Sequence, residues 1–368
     1  MRTRSTSTVP TGRAARGLAA AGLLLLVTAC GSDSGGGGGQ AAGEGRDAED
    51  INIAFIGADG SQNFVREMMA GAEAAGEEFG VDVQVVAPTS LDGPAQVRLF
   101  EDAVRTATDG IAIESLTPDL LVRAQSRATD QGIPVVSVDT PPLEGSGVTA
   151  YIGNDNTEAG SLLADEAIRL LQEAGTTEGT AVVASTIPGI PTLDDRAEGM
   201  AAAFAEDLPG FEVVGPVASA PDPTGNFSAW SNLIAANRDA TVFLDSGDAA
   251  LASLAQLNRE AGGTYLTGAF DLNQVGLQAV ADGTNFATVD PQHFLKGYLS
   301  TRLLIEAAMG ERELFEGWWV SEAALVTQDT VADTQARQES EEAKLDYYRD
   351  VAEEELADPP LRDFPGEG

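Results

Sequence analysis

Gly110-Ile-Ala-Ile-Glu114, a helically spaced segment from Asp119 to Asp130, the stop signal Gly132, and Ile133-Pro-Val-Val-Ser-Val138 together decide the fold. The two apolar runs have strand length, and the segment between them has helix length and ends at a glycine. Strand, crossover helix and strand in that order make a parallel pair, because parallel neighbours can be joined only by a long crossover. Parallel sheets are covered on both faces, so their strands read as continuous apolar runs without polar alternation.

The unit repeats in both directions. Upstream, Ile51 to Gly57 and Val81 to Ala87 read as strands, with helices from Phe64 to Phe79 and from Gln96 to Thr108. After Asn154 a second series opens, with helices Glu158 to Ala174, Asp195 to Ala205, Asn226 to Ala236, Ala249 to Ala261 and Asn273 to Ala281. Between them lie strands Ala181 to Ala184, Glu212 to Val217, Thr241 to Leu244, Tyr265 to Phe270 and Ala287 to Val289. Two such series predict an α/β protein of two doubly wound, Rossmann-like lobes, and the roughly 320 residues involved exceed what one core usually holds.

Ahead of this body, Arg2, Arg4, Arg13 and Arg16 precede a short apolar run, Leu23 to Ala29, and then Cys30, the only cysteine. A basic start, a short apolar stretch and small residues read as a secretory signal, too short to span a bilayer. Val27-Thr28-Ala29-Cys30 resembles a bacterial lipobox, which implies a signal peptide over 1–29 and acylation of Cys30, anchoring the protein to the outer face of the cell membrane. A protein secreted after cleavage nearby, or a retained signal anchor, is the competing reading. Residues 30–50, with five consecutive glycines from Gly35 to Gly39, read as a flexible tether. The formal net charge of -37 repels nucleic acid and anionic lipid, and its plainest consequence is solubility. With one cysteine there is no intramolecular disulfide, so stability rests on an ordinary core.

In open α/β sheets, ligands sit beyond the carboxyl ends of the strands. Asp139, Asn154-Asp155-Asn156, Asp245-Ser246, Asp271 and Asp290 all follow strand-like runs. Each one alone is also a plausible helix cap or turn former. Their recurrence in both series points to a cleft between lobes.

Gly132-Ile-Pro-Val-Val-Ser-Val-Asp139, Ile152-Gly-Asn-Asp-Asn156, Glu158-Ala-Gly160, Arg196-Ala-Glu-Gly199, Gly268-Ala-Phe-Asp271 and Asp290-Pro-Gln-His-Phe-Leu-Lys-Gly-Tyr298 carry a resemblance in their order and spacing. From about Ile51 to Gln328 the chain resembles the sugar-binding proteins of ABC importers, in the ribose-binding group of type I periplasmic binding proteins. The resemblance implies two lobes joined by three crossings, near Asn154, Pro291 and Gly317, that close like a hinged clamp. The first lobe would comprise 51–153 and 292–316, the second 154–290 and 317–328, with Asn154, Asp290 and Pro291 at the hinge.

Residue by residue, the resemblance implies that Phe64 stacks on a sugar ring, with core packing as the alternative. Gln62, or Asn63 in its place, would be a polar neighbour. Asp139 and Asp271 would accept hydrogen bonds from ring hydroxyls, and Arg196 would donate between them; Asp194 and Asp195 could instead pair with Arg196. Departures fall at Val65 in place of a second aromatic, at Thr140 where an arginine often follows the aspartate, at Ser246 in an amide position, and at Pro291, which displaces a hinge glutamine to Gln292. These positions alter the pocket, so the ligand need not be ribose.

The function implied is an extracytoplasmic solute-binding subunit that takes a monosaccharide or related polyol and delivers it to a membrane permease with its ATPase subunits. It would act as a monomer, with no cofactor and no metal. A lipid-anchored sensor presenting its ligand to a receptor kinase, and a glycoside hydrolase using Asp139 and Asp271, are the alternatives. The one histidine, His293, reads as a hinge or surface residue. Residues 329–368 read as a charged helical extension, Thr334 to Leu356 stopped by Asp358-Pro359-Pro360, solvated by default with Glu341-Glu342 and Glu353-Glu354-Glu355 on its wet face, packing on a lobe or contact with a partner being the alternatives.

Overall fold

The structure, a computed structural model, describes residues 46–365. The expected signal peptide, Cys30 and the glycine run lie outside the described residues. The last part of the expected tether does not hang free. Arg46 pairs with Asp109, Ala48–Asp50 form a short 3-10 turn, and the Asn52 N–H donates to Asp109 at 2.8 Å.

The first series runs β1 (Ile53–Ile56), α1 (Asn63–Phe79), β2 (Gln84–Val86), α2 (Gly93–Thr106), β3 (Gly110–Glu114), α3 (Pro118–Asp130), β4 (Val135–Val138) and β5 (Ala150–Gly153). The second runs α4 (Asn156–Glu173), β6 (Gly179–Ser185), α5 (Pro191–Asp207), β7 (Phe211–Ala218), α6 (Pro223–Ala236), β8 (Val242–Asp245), α7 (Ala249–Glu260), β9 (Leu266–Phe270), α8 (Gln274–Ala281) and β10 (Ala287–Asp290). The chain then returns through α9 (His293–Met309), β11 (Gly317–Val320), β12 (Ala324–Thr327), α10 (Val331–Arg337), α11 (Glu341–Ala357) and β13 (Leu361–Arg362). Side-chain caps start several of the helices: Asp92, Asp155, Asp222 and Asn273 each accept a backbone N–H three residues on.

Two sheets result. The first has the order β13-β11-β5-β4-β3-β1-β2, parallel except for β13; the second has the order β12-β10-β9-β8-β6-β7, parallel except for β12. Their central strands are buried along their whole length, as two-sided coverage by helices requires. Each lobe crosses two helices at glycines. A Cβ on Gly297 of α9 would lie 1.9 Å from the Met68 carbonyl oxygen of α1, and one on Gly160 of α4 would lie 2.1 Å from the Arg196 carbonyl oxygen of α5. The second contact matters for the site, because it sets how deep the Arg196 backbone sits.

Two readings are corrected, and one helix, α9, went unassigned in the sequence. Gly317–Val320 pairs in parallel with β5, so the strand expected to open the second lobe's last segment belongs to the first sheet. The third crossing therefore falls after Val320, and only β12 joins the second sheet. Helix α9 had no helical signature in the sequence, because its residues are buried on every side from His293 to Glu306 and no polar face marks its period. The extension is not a solvated helix. Tyr348 of α11 is fully buried and stacks on Phe294 at 5.3 Å, Lys344 pairs with Glu67 at 2.9 Å, and β13 extends the first sheet. Among the described residues no helix is long and apolar enough to cross a membrane.

Candidate ligand-binding cleft

The first sheet's β4 ends in Val138, and Asp139 follows with φ 64°; the second sheet's β9 ends in Phe270, and Asp271 follows with φ 76°. A left-handed backbone at a non-glycine residue costs about 1–3 kcal/mol and persists only where surroundings impose it. The imposing bonds are alike in the two lobes. The Asp139 N–H donates to the Ile152 carbonyl and the Asp271 N–H to the Val289 carbonyl, each at 2.8 Å. Each strand end is thus held by its neighbour while the side chain is thrown out over the sheet, and the two carboxylates enter one space from opposite lobes.

That space is a cavity of about 160 Å³ whose polar walls include Asp59, Asp139, Arg196, Asp248, Asp271 and His293. Gln62 and Phe64 enter from the start of α1, and Leu91, Leu116, Ile187, Ile190 and Leu193 form an apolar side. It is smaller than the roughly 300–1,000 Å³ pockets that take drug-sized molecules, and so is matched to one small ring.

Helix α9, entering straight from the hinge, organises the floor. Lys296, wholly buried, bonds Asp139 and donates to the Asn154 side-chain oxygen at 2.8 Å. The Asn154 amide nitrogen in turn donates to the Pro291 carbonyl at 3.2 Å and the Ser321 carbonyl at 2.6 Å, so one side chain ties the three crossings together. His293 Nε2 lies 2.9 Å from Asp271, its Nδ1 is buried with no partner among the described residues, and its ring is 5.4 Å from Phe64. Arg196 donates from Nε to Asn156 at 3.0 Å and from a terminal nitrogen to the Ser246 carbonyl at 3.2 Å, and stacks over Phe270 at 4.5 Å.

These surroundings sort the carboxyl groups. Burial would raise Asp139, but Lys296, His293 and Arg196 outweigh it and bring it to about 2. Burial is likewise outweighed at Asp271, where the His293 bond holds the group below the usual carboxylate range. Asp248 goes the other way: burial, reinforced by Asp271, pushes it up to about 7.

Of the residues expected to bind ligand, Gln62, Phe64, Asp139, Arg196 and Asp271 line this cavity. Four do not. Asn63 donates to the Leu272 carbonyl at 3.0 Å and bridges the lobes beneath the cavity. Thr140 is buried in the turn after β4, where its carbonyl accepts from Ser137. Ser246 faces inward, its Oγ accepting the Thr186 N–H at 3.1 Å while its carbonyl orients Arg196. Gln292, at φ 58°, donates to the Glu322 carbonyl at 2.6 Å and belongs to the hinge. Asp194 bonds Ser185 and the Gly189 N–H and forms no ion pair with Arg196. His293, read as a hinge or surface residue, is a wall of the cavity. Lys296, Asp59 and Asp248 were not singled out for binding. Asp59 and Asp248 follow strands β1 and β8 and were open to the strand-end rule; Lys296 carried no signal outside three dimensions.

The periplasmic binding protein domain family model matches residues 53–312. The chain belongs to that family. Within it, the chain is similar to the ribose import binding protein of Salmonella typhimurium, 26% identical over 229 residues, covering 61% of this chain and 74% of the relative. The ribose import binding protein of Bacillus subtilis is 24% identical over 250 residues, covering 68% and 79%. Among solved structures, an ABC transporter solute-binding protein from Burkholderia graminis, in complex with D-arabinose, superposes with a TM-score of 0.70 at 25% identity, covering 77% of this chain and 98% of that one. The two-lobed α/β architecture is thus that of the ribose-type periplasmic binding proteins. The matched segment ends at residue 312, before β11.

Proposed function

We propose that this protein is the extracytoplasmic solute-binding subunit of an ABC importer, that it captures a monosaccharide or related polyol between its lobes, and that it hands the ligand to a membrane permease. One observation carries the reading: Asp139 and Asp271, each forced into a left-handed turn at the end of a central strand, meet Arg196 and Phe64 in a single ring-sized cavity. Ionised acceptors, a planar donor and an aromatic face are the groups that hold a polyhydroxylated ring. Ribose import and D-arabinose binding in its relatives support the ligand class. Acylation at Cys30 would keep the subunit beside its permease. Binding without turnover fits the same carboxylates: Asp139 and Asp271 are both held ionised, so this pair supplies no protonated acid for glycoside cleavage.

A thermal-shift screen of pentoses, hexoses and inositols, followed by calorimetry on any that raise Tm, tests the proposal. Asp271→Asn is expected to fold and to weaken binding at least tenfold, because a hydroxyl loses a charged acceptor worth roughly 1.5–3 kcal/mol. Unchanged affinity in Asp271→Asn, or no sugar or polyol that stabilises the protein, would refute it.

A further inference from the structure

The cavity has two kinds of wall, and the order of the strands separates them. Asp139 and Asp271 follow the inner strands β4 and β9, and Asp248 follows β8. Towards one edge of each sheet, the loops after β3 and β2 and after β6 and β7 bring aliphatic side chains instead. Leu91 and Leu116 come from the first lobe; Ile187, Ile190, Leu193 and Pro221 come from the second. All six are half-buried or exposed, and Leu91 is 47% exposed. None of them packs into a hydrophobic core among the described residues. Aliphatic side chains scattered singly over a surface are ordinary, but six from two lobes that converge on one cavity form a patch. The cores do not use them, so their partner is what the cavity holds.

The polar groups beside this wall are already engaged. Thr186 donates its hydroxyl hydrogen to Asp245 at 2.6 Å, and Thr192 donates to the Asp139 carbonyl at 3.4 Å. Asp59, which follows β1 between the loops of Leu116 and Leu91, accepts the Ser61 hydroxyl at 2.7 Å and the Ser61 N–H at 2.9 Å. In the sugar-binding reading Phe64 meets the C–H face of the ring, which leaves the aliphatic wall for a second apolar part of the ligand. A hydroxyl pressed against that wall loses water and finds no replacement, whereas a methyl group gains by burial. From this placement we infer that the ligand is a deoxy sugar, a 6-deoxyhexose, whose methyl group lies on the aliphatic wall while its ring hydroxyls meet Asp139, Asp271 and Arg196. The cavity of about 160 Å³ keeps the apolar substituent small. The inference rests on the sugar-binding reading and narrows it to sugars with one apolar edge.

The test is calorimetry on matched pairs that differ only in the hydroxyl of the terminal carbon: L-rhamnose with L-mannose, L-fucose with L-galactose, D-fucose with D-galactose, and D-quinovose with D-glucose. In at least one pair the deoxy sugar should bind about tenfold or more tightly than its hydroxylated parent, the scale on which an apolar pocket rejects an added hydroxyl. Leu116→Gln and Leu193→Gln, one from each lobe, nearly keep the side chain's size and supply a hydrogen-bond partner for that hydroxyl. Both positions are half-buried and outside the cores, so both variants should fold. Each should cut the ratio of deoxy to parent affinity about fivefold or more. A parent that binds as tightly as its deoxy partner in every pair, or a ratio unchanged in both variants, would overturn the inference; so would a silent panel while a pentose or an inositol binds. Each of these leaves the sugar-binding role standing. Absence of binding by every pentose, hexose, deoxyhexose and inositol would count against both.

Discussion

At the scale of single residues, Glu114 shows how far burial alone can move a group. It ends β3, is fully buried, accepts the Ala58 N–H at 2.8 Å on one oxygen, and has no partner for the other among the described residues. Burial pushes its carboxyl up from 4.5 to about 8. Since the folded value lies above the unfolded one, the native state keeps a proton that the unfolded chain releases, so stability falls as pH rises from about 4.5 to 8. Glu114→Gln keeps the shape and the Ala58 bond and cannot titrate. Its stability relative to wild type should therefore grow between pH 5 and pH 8, by as much as a few kcal/mol, since a tenfold change in proton affinity is worth about 1.4 kcal/mol. Urea unfolding at the two pH values checks this, and parallel pH dependence in the two proteins would contradict it. Asp139 has the opposite sign: its contribution is present above about 4 and is lost as pH falls towards 2. The carboxylates that follow strands were legible in the sequence because strand ends are where open sheets bind. Lys296 was not, since a lysine inside an apolar run reads as a polar interruption until the fold sets Asp139 beside it.

At the scale of elements, α10 and α11 form an extension that spans the hinge, α11 docked on α9 in the first lobe and α10 on the second. Arg337 of α10 pairs with the hinge residue Asp290, the Tyr348 hydroxyl reaches the same carboxylate at 3.3 Å, and the Trp319 indole N–H donates to Glu355 at 2.7 Å. Helix α10 meanwhile packs Val331 against Leu277, Val280 and Val326 of the second lobe. The extension therefore touches both lobes across the hinge, and α11 serves as structure in its own right. Tyr348→Ala removes the stack on Phe294 and opens a cavity, and should cost about 3–5 kcal/mol by urea unfolding, the range for losing a buried aromatic. A loss below about 1 kcal/mol would mean that α11 is peripheral. That α11 is a helix could be read from its composition, but its docking could not. Its buried residues Lys344, Tyr348, Ala352 and Leu356 recur every four positions as one narrow row headed by a charge, far thinner than the broad apolar stripe that marks a packed helix.

At the scale of the whole molecule, a net charge of -37 works against the compact state. Many of the ion pairs are exposed, such as Arg105 with Asp102 and Arg127 with Glu101, and each is worth about 0–1 kcal/mol. Screening should therefore relieve more repulsion than attraction: raising salt from about 10 mM to 0.5 M shortens the Debye length from about 30 Å to under 5 Å, and Tm should rise. A Tm that falls with salt would mean that the ion pairs outweigh the repulsion. The lobes are closed on one another, with Asn63 bonded to the Leu272 carbonyl and His293 to Asp271 across the cleft, so the described state is the one in which both lobes reach a ligand.

The sequence by itself determined the alternation of strands and helices, the two parallel series, and the aspartates that follow Val138 and Phe270, because strand length, glycine stops and strand-end polarity are local properties of the chain. Only the tertiary structure decided that β11 stays in the first sheet, that α9 is a helix, that the extension clasps the hinge, and that His293, Lys296 and Asp248 share the cleft's charge with Asp139, Asp271 and Arg196. Those outcomes depend on which distant surfaces bury one another and which charges burial brings together, and neither is written in the spacing of neighbouring residues.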